Sequence, residues 1–258
     1  MENDDFSLPS PRLSEAQIAS FKNDGFVILP GGFDANASRR IGAWTTELAA
    51  MPEVSGKQWV YHEQSRLDPD EQLICRIENI APFHPGFAAL SRALAGPMAQ
   101  LLGEESVLFK EKVNFKMPGG DGFKPHQDSQ AGWGDYADYF ISVMVCIDEA
   151  TIENGCLQMV KGHQHSGLYR EWEPLTDEDM ADMDFQFYPT QPGDVVFFDC
   201  YTPHSSEPNL SDRIRRMYFA TYNRLSEGDH LARYYADKRA SYPPDIEREQ
   251  GREYVFRV

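Results

Sequence analysis

The fold of this chain is decided by the stretch Phe123-Lys-Pro-His126-Gln-Asp128-Ser129. It places an imidazole and a carboxylate two residues apart. On a β-strand, residues i and i+2 point to the same face, so His126 and Asp128 are expected to reach one metal ion. This spacing alone is weak evidence, because any histidine with an acid two positions later has it.

The second half of the pattern is the stretch Tyr201-Thr-Pro-His204-Ser-Ser206-Glu-Pro-Asn209-Leu-Ser-Asp-Arg213-Ile-Arg215-Arg216. Two histidines and one carboxylate on one face of an iron ion, with the remaining positions open, are the ligand set of non-haem Fe(II) oxygenases. Taken singly, His126 fits a surface residue in a turn, and His204 fits a capped loop residue. The combination with Arg215, eleven positions after His204, favours a metal site, with the guanidinium as a fixed charge for an acidic co-substrate.

Composition limits the class of protein. The chain has 258 residues, of which 41% are hydrophobic and 12% aromatic, enough for one large domain with a real core. The net charge of −17 disfavours a nucleic-acid surface, which needs a basic stripe. A few local lysines or arginines can still attract an anionic small molecule. We expect a small-molecule substrate, no nucleic acid, no membrane, and a monomer or homodimer.

The cysteines and the N-terminus bear on location. The four cysteines include no Cys-x-x-Cys pair, and two lie in apolar, strand-like runs, so all four are expected to be reduced. The N-terminal Met-Glu-Asn-Asp-Asp lacks the basic and apolar regions of a signal peptide. No apolar run approaches the length needed to cross a bilayer. We therefore expect a cytoplasmic protein.

Helical patterns dominate the first part of the chain. The expected elements are a helix from a capping box at Ser14-Glu-Ala-Gln17 to Gly25, a strand at 26–29, a helix at 35–51, a strand at 73–77 and helical segments around 85–102. We expect a break near Gly96-Pro97, and a polar loop at 52–72. Residues 229–258 are expected to form a helix and a tail that packs back.

Strands and turns dominate from Val107 onward. The expected strands are 107–117, 139–147, 156–160, 195–198 and 214–222, with turns at 118–122 and 153–155. Helices followed by five or six strands predict a mainly β fold with flanking helices, a double-sheet jelly roll. We expect a single domain over 1–258, with a flexible arm at 1–12 and an excursion or lid at 163–185.

These motifs resemble the phytanoyl-CoA dioxygenase family of Fe(II)/2-oxoglutarate oxygenases. The resemblance rests on His126-x-Asp128, on a Gly-x-Gly segment ahead of it, and on the H-x-S-x-x-N-x-S-x-x-x-R run from His204 to Arg215. It implies a double-stranded β-helix of the cupin-like type, with Fe(II) as cofactor and 2-oxoglutarate and O2 as co-substrates. It also implies that His126, Asp128 and His204 are the metal-binding and catalytic residues.

The same resemblance implies a binding site for 2-oxoglutarate. Its 2-oxo and C1-carboxylate oxygens would chelate the iron, and its distal carboxylate would pair with Arg215 and the Ser206 hydroxyl. Arginine suits this task because its planar fork meets a carboxylate bidentately and keeps its charge. Arg213 and Arg216 are competitors by position, and the family's interval selects Arg215. Asn114 and Gln127 are further co-substrate candidates.

The substrate site is expected along one strand. Lys110, Lys112, Asn114 and Lys116 share a face of the strand at 107–117. Such a face fits a solvated edge or a polar pocket wall. The candidates for substrate contacts are Lys110, Lys112, Ser129 and Trp133, with weaker candidates in Arg76 and Tyr136. Ser142 and Met144, on the strand at 139–147, are expected to pack in the core.

The resemblance extends to bacterial members that act on small polar metabolites, among them hydroxylases of 2-aminoethylphosphonate and its N-methylated relatives. Lys110 and Lys112 would suit a phosphonate dianion. The implied reaction is hydroxylation of an unactivated C–H, for instance at the α-carbon of 2-aminoethylphosphonate, with release of succinate and CO2. Two alternatives stay open: a cupin-type metal hydrolase or isomerase that needs no co-substrate, and a non-catalytic small-molecule binder.

Overall fold

A computed structural model describes residues 6–255 of the chain. The four α-helices are α1 (Glu15–Asp24), α2 (Ala35–Ala50), α3 (Pro85–Leu102) and α4 (Leu231–Ser241). The eleven strands are β1 (Phe26–Leu29), β2 (Trp59–Gln64), β3 (Gln72–Glu78), β4 (Ser106–Lys116), β5 (Phe123–His126), β6 (Phe140–Cys146), β7 (Leu157–Met159), β8 (Gln186–Tyr188), β9 (Val195–Asp199), β10 (His204–Ser206) and β11 (Arg215–Arg224). Across these residues, no helix is both long and apolar enough to cross a membrane.

The strands form two antiparallel sheets. The larger sheet has seven strands in the order β1-β9-β6-β11-β4-β3-β2, and the smaller has four in the order β5-β10-β7-β8. The turn at 153–155 carries the chain from β6 in the large sheet to β7 in the small one. This arrangement, with helices against the large sheet, confirms the expected mainly β fold, a double-stranded β-helix. The single-domain boundaries at 1–258 stay a prediction.

The first helix has the ends that its sequence predicts. The Ser14 hydroxyl oxygen accepts the backbone N–H of Gln17, and the Gln17 side-chain oxygen accepts the backbone N–H of Ser14. The two bonds form a complete capping box. The helix stops at Gly25, whose φ of +83° lies in the left-handed region that glycine adopts without strain. The chain then enters β1, which pairs with β9.

The predicted break near Gly96-Pro97 is wrong, because α3 continues through Pro97. Proline lacks an N–H, so the Ala93 carbonyl four residues earlier loses its helical donor. The Ser10 hydroxyl donates to that carbonyl at 2.8 Å. Ser10 belongs to the arm predicted at 1–12, of which residues 1–5 lie outside the described residues. The described part thus contacts α3 and replaces the bond that Pro97 removes.

The predicted loop at 52–72 is also partly wrong. Residues 59–64 form β2, which pairs with β3 at the edge of the large sheet. Trp59, Val60 and Tyr61 are buried in succession, so the stretch lacks the alternation that marks a half-buried strand. The predicted tail at 229–258 contains α4, whose Tyr234 and Tyr235 are buried; residues 256–258 lie outside the described residues.

The buried apolar side chains of the described residues form three clusters. The largest packs α2 and α3 onto the large sheet, and includes Leu90, Val113 and Phe197. The second lies between the two sheets and includes Met144, which confirms the core position expected for that residue. The third is aromatic, with Phe109, Trp133 and Tyr234 among its members, and it forms the floor beside the candidate site.

Candidate active site

Paired strands of the small sheet bring the two histidines together. His126 ends β5, His204 begins β10, and the two residues are directly opposite in the antiparallel register. Asp128 lies two residues beyond β5, at the start of a 3-10 turn, so the expectation that it shares a strand face with His126 is wrong. Ligand atoms of the three residues nevertheless lie within 4.8 Å of one another.

Backbone carbonyls fix which nitrogen of each histidine faces the site. His126 Nδ1 lies 2.7 Å from the Lys124 carbonyl oxygen, and His204 Nδ1 lies 2.9 Å from that of Thr202. A carbonyl only accepts, so each Nδ1 carries the proton. The lone pair is thereby left on Nε2, and His204 Nε2 lies 3.9 Å from Asp128 Oδ1. This orientation of ring nitrogens is typical of metal-ligating histidines.

The Asp128 carboxylate is held from the large sheet. Ser142 Oγ, on β6, donates to Asp128 Oδ2 at 2.5 Å and lies 3.1 Å from the Thr221 hydroxyl on β11. Ser142 therefore orients a candidate ligand, a role that the expected core packing did not include. Burial would raise the pKa of Asp128, but the charges of His204 and Lys110 lower it, so the carboxylate is ionised at neutral pH.

These three side chains fit a divalent iron ion. Burial, followed by the charge of His204, lowers the pKa of His126 to about 3, so its imidazole is neutral and able to ligate at physiological pH. Two neutral imidazoles and one carboxylate are the donor set that non-haem Fe(II) sites use. The arrangement leaves further coordination positions for small molecules.

A small inner cavity of about 50 Å³ extends from the metal ligands between the sheets. Arg215 and Ser206 both line it, as does Asn114. Arg215 is 4% exposed, and its Nε has no hydrogen-bond partner among the described residues. Burial lowers the pKa of Arg215 to about 10, which leaves the guanidinium charged at neutral pH. A buried cation with a vacant donor is suited to an anionic ligand.

The three neighbouring arginines have different surroundings. Arg216 binds Asp148 through Nε at 2.7 Å and through an outer nitrogen at 2.8 Å. Arg213 is more than half exposed and pairs with Glu149 at 3.3 Å. Of the three, Arg215 alone lines the inner cavity.

A larger cavity of about 670 Å³ opens outward from the metal ligands. Lys110 and Lys112 line it, and the open part of each half-buried side chain faces the cavity. Lys110 Nζ lies 4.1 Å from the Trp133 ring centre, and Lys112 Nζ lies 5.8 Å from that of Phe123. Within residues 6–255, neither lysine has a carboxylate or hydrogen-bonding partner.

Burial controls the charge of these lysines. Burial lowers the pKa of Lys110. Burial, followed by the charges of Lys110 and Arg76, lowers the pKa of Lys112 to about 7. An anion in the cavity would reverse both effects, since it favours the protonated forms.

A buried ion-pair group forms one wall of the larger cavity. Glu78 accepts from Lys238 Nζ at 2.5 Å and lies 3.0 Å from Arg76 Nε. Burial would raise the pKa of Glu78, but Lys238 and Arg76 outweigh it and hold the value at about 2. Sequence reasoning missed Glu78, although it follows Arg76 by two positions on a strand. Lys238 comes from α4, and its sequence carries no signal of this contact.

The remaining predicted residues divide into two groups. Trp133 and Tyr136 line the larger cavity. Gln127 does not: its amide nitrogen donates to the carbonyls of Gly167 and Tyr201, and its oxygen accepts the Tyr169 N–H. Ser129 is 6% exposed and lines neither the inner nor the larger cavity. The placement of Gln127 and Ser129 as pocket residues is therefore corrected.

The segment at 163–185 runs over the cavity mouth. The Trp172 N–H donates to the Gln130 carbonyl at 2.8 Å, and Leu175 N–H donates to that of Pro125 at 2.8 Å. Trp172 lines both the larger cavity and an adjoining one of about 480 Å³. Trp172 is a cavity residue that sequence reasoning missed, and an excursion or lid at 163–185 stays a prediction.

Known proteins are similar to this chain in sequence and in architecture. A family model described as phytanoyl-CoA dioxygenase (PhyH) matches residues 21–217. The 2-aminoethylphosphonate dioxygenase of an uncultured bacterium is 41% identical over 246 residues, 93% of either chain. The methylphosphonate hydroxylase of Gimesia maris is 35% identical over 234 residues, covering 89% of this chain and 88% of the relative.

A solved structure gives the same fold. The crystal structure of EctD from S. alaskensis with 2-oxoglutarate and 5-hydroxyectoine superposes with a TM-score of 0.72 at 24% identity, over 85% of this chain and 84% of that one. Family membership decides against both alternatives, the cupin-type hydrolase or isomerase and the non-catalytic binder. With a ligand set that fits iron and a match across most of its length, the chain belongs to the phytanoyl-CoA dioxygenase family and is an Fe(II)- and 2-oxoglutarate-dependent dioxygenase.

Proposed function

We propose that the protein hydroxylates the α-carbon of 2-aminoethylphosphonate or of an N-methylated relative. The observation that carries this proposal is the pair Lys110 and Lys112, which line the cavity beside the metal ligands without any carboxylate partner among the described residues. Two unpaired cations at one cavity wall suit a dianion such as a phosphonate. The similarity to a 2-aminoethylphosphonate dioxygenase and a methylphosphonate hydroxylase supports the same substrate class.

The charged side chains of the larger cavity offer partners for both ends of an aminophosphonate. The lining holds five cations and five carboxylates: Arg76, Lys110, Lys112, Lys238 and Arg252, and Glu78, Asp128, Asp135, Asp237 and Glu253. The whole chain has a net charge of −17, so the cavity is less negative than the chain as a whole. Lys110 and Lys112 would attract the phosphonate, and the carboxylates would attract the amine.

In the proposed site, His126, Asp128 and His204 hold the iron, and Arg215 with Ser206 holds the distal carboxylate of 2-oxoglutarate. The bound iron and its co-substrate supply the oxidation, which converts 2-oxoglutarate and O2 into succinate and CO2 while a C–H becomes C–OH. Lys110 and Lys112 would hold the phosphonate so that the neighbouring carbon faces the iron. Trp133 and Trp172 would exclude water from that carbon.

Turnover of a substrate panel tests the proposal. The panel pairs 2-aminoethylphosphonate and its N-methylated relatives with 3-aminopropanoate, which carries a carboxylate in place of the phosphonate. We expect one succinate per hydroxylated phosphonate and a new phosphorus resonance, with the carboxylate analogue at least tenfold slower. Equal turnover of the carboxylate analogue would contradict phosphonate recognition.

Lysine variants test the assigned contacts. Lys110→Met should raise the Michaelis constant for the phosphonate, and Lys161→Met serves as the control, because Lys161 is 58% exposed and pairs with Asp24. An unchanged Michaelis constant in Lys110→Met would show that Lys110 makes no substrate contact. A monomer or homodimer in the cytoplasm remains our prediction, in keeping with four free cysteines.

A further inference from the structure

Lys116 is a buried lysine beside the inner cavity that the mechanism above does not use. It ends β4, is 2% exposed, and is the direct partner of Arg215 in the antiparallel register with β11. Its Nζ donates to Ser206 Oγ at 2.8 Å and also to the Glu207 carbonyl oxygen. Lys116 does not line the inner cavity, whereas Ser206 and Arg215 do.

Two glycines make room for this contact. A Cβ at Gly155, where φ is +76°, would overlap the Glu207 carbonyl oxygen and would stand 3.0 Å from Lys116 Nζ. A Cβ at Gly122 would overlap the Ser206 carbonyl oxygen. The backbone of residues 206–207 is therefore packed closely from two sides, with the lysine ammonium inserted against it. Such packing fixes the Ser206 side chain in space.

The direction of the hydrogen bond gives Lys116 its role. A lysine ammonium has three donors and no acceptor, so the Ser206 oxygen must accept from it. The Ser206 O–H is then free to donate in another direction, and the cavity into which Ser206 faces also holds the vacant Nε of Arg215. We propose that Lys116 is a positioning residue that turns the Ser206 O–H toward the distal carboxylate of 2-oxoglutarate.

The charge of Lys116 is coupled to the same ligand. Burial, followed by the charge of Arg215, lowers the pKa of Lys116 to about 6, while Glu63, Asp121 and Glu207 raise it. A carboxylate bound beside Arg215 would offset the repulsion between the two cations, which favours the ammonium form. Binding of 2-oxoglutarate above pH 7 should therefore be accompanied by proton uptake.

A double-mutant cycle tests the proposal on the anaerobic Fe(II) enzyme. The variants are Lys116→Met, Ser206→Ala and the two combined, and the readout is 2-oxoglutarate affinity by titration calorimetry without turnover. Each single variant should bind about tenfold more weakly, the effect of one lost charge-assisted bond. The combined variant should bind no more weakly than Ser206→Ala, because Lys116 acts through Ser206. Unfolding temperatures verify that each variant is folded.

Other outcomes separate this inference from the proposed site on which it rests. Losses that add in the combined variant would overturn it and indicate that Lys116 contacts the carboxylate itself. Wild-type affinity in Lys116→Met would also overturn it. In that case, a large loss of 2-oxoglutarate affinity in Arg215→Leu would still support the proposed co-substrate site. Calorimetry in buffers of different ionisation enthalpy should show proton uptake near pH 7.5 that is smaller in Lys116→Met, where Lys112 alone of the two lysines remains to take up a proton, and uptake unchanged in that variant would contradict the coupling.

Discussion

Replacing Lys112 by arginine is expected to remove a pH dependence from kcat/KM for the phosphonate substrate. Burial and the charges of Lys110 and Arg76 lower the pKa of Lys112 to about 7 in the free cavity. A group whose pKa is lowered in this way is protonated below that value and loses its charge as the pH rises through it. Since a phosphonate dianion binds the protonated form, the substrate binds best below about pH 7.

The size of the effect follows from this linkage. Above the pKa, each pH unit reduces the protonated fraction of Lys112 tenfold, so kcat/KM should fall about tenfold per unit. The two positive charges of a bound Fe(II) would lower the pKa further, which places the break at about 7 or below. Arginine keeps its charge throughout this range, so the variant should lack the break. Lys112→Met should weaken binding by about 10- to 150-fold at pH 6.5, the value of one charge-assisted hydrogen bond.

The assay is kcat/KM for 2-aminoethylphosphonate between pH 6 and 9, at saturating 2-oxoglutarate. The wild type and Lys112→Arg share every ionisation of the substrate, so the ratio of their profiles isolates residue 112. A ratio that stays constant over this range would refute the reasoning. So would a Lys112→Met variant with the wild-type Michaelis constant at pH 6.5.

Three further predictions concern the co-substrate, the cavity mouth and stability. Arg215→Leu should weaken 2-oxoglutarate binding at least about 100-fold by titration, while exposed Arg213→Leu should change it less than about twofold. Gly132→Ala should lower stability by about 1–2 kcal/mol, because φ is +72°, and should raise the substrate KM by displacing the Trp172 ring that packs there. Burial raises the pKa of Glu111 to about 7, so its ionisation costs stability as pH rises from 4.5 to 7, and Glu111→Gln should flatten that decline in denaturant titrations.

Periodic features of the fold could be predicted from sequence. Every second residue of β4 is polar from Lys110 onward, so the shared face of Lys110, Lys112 and Asn114 follows from residue spacing alone, and that face lines the cavities. The ends of α1 were predictable because capping is local. Strand β2 was missed since Trp59, Val60 and Tyr61 are buried on both faces and show no alternation.

Long-range contacts in the site could not be predicted. The hydroxyl of Ser10 replaces a bond that Pro97 removes from α3, yet the two residues are far apart in sequence. Gln127 lies between two metal ligands, but its side chain turns away to hold the segment at 163–185. Lys238 reaches Glu78 from a helix near the end of the chain. None of these contacts leaves a pattern in the residues around it.

Anaerobic titration of the apoprotein with Fe(II) and 2-oxoglutarate tests the central claim most directly. If His126, Asp128 and His204 bind one iron and Arg215 holds the diacid against it, the protein should bind one Fe(II) per chain. A weak visible charge-transfer band should then develop only when 2-oxoglutarate is added, and should be lost in His204→Ala. An iron site that survives in His204→Ala, or a band that never forms, would contradict the account.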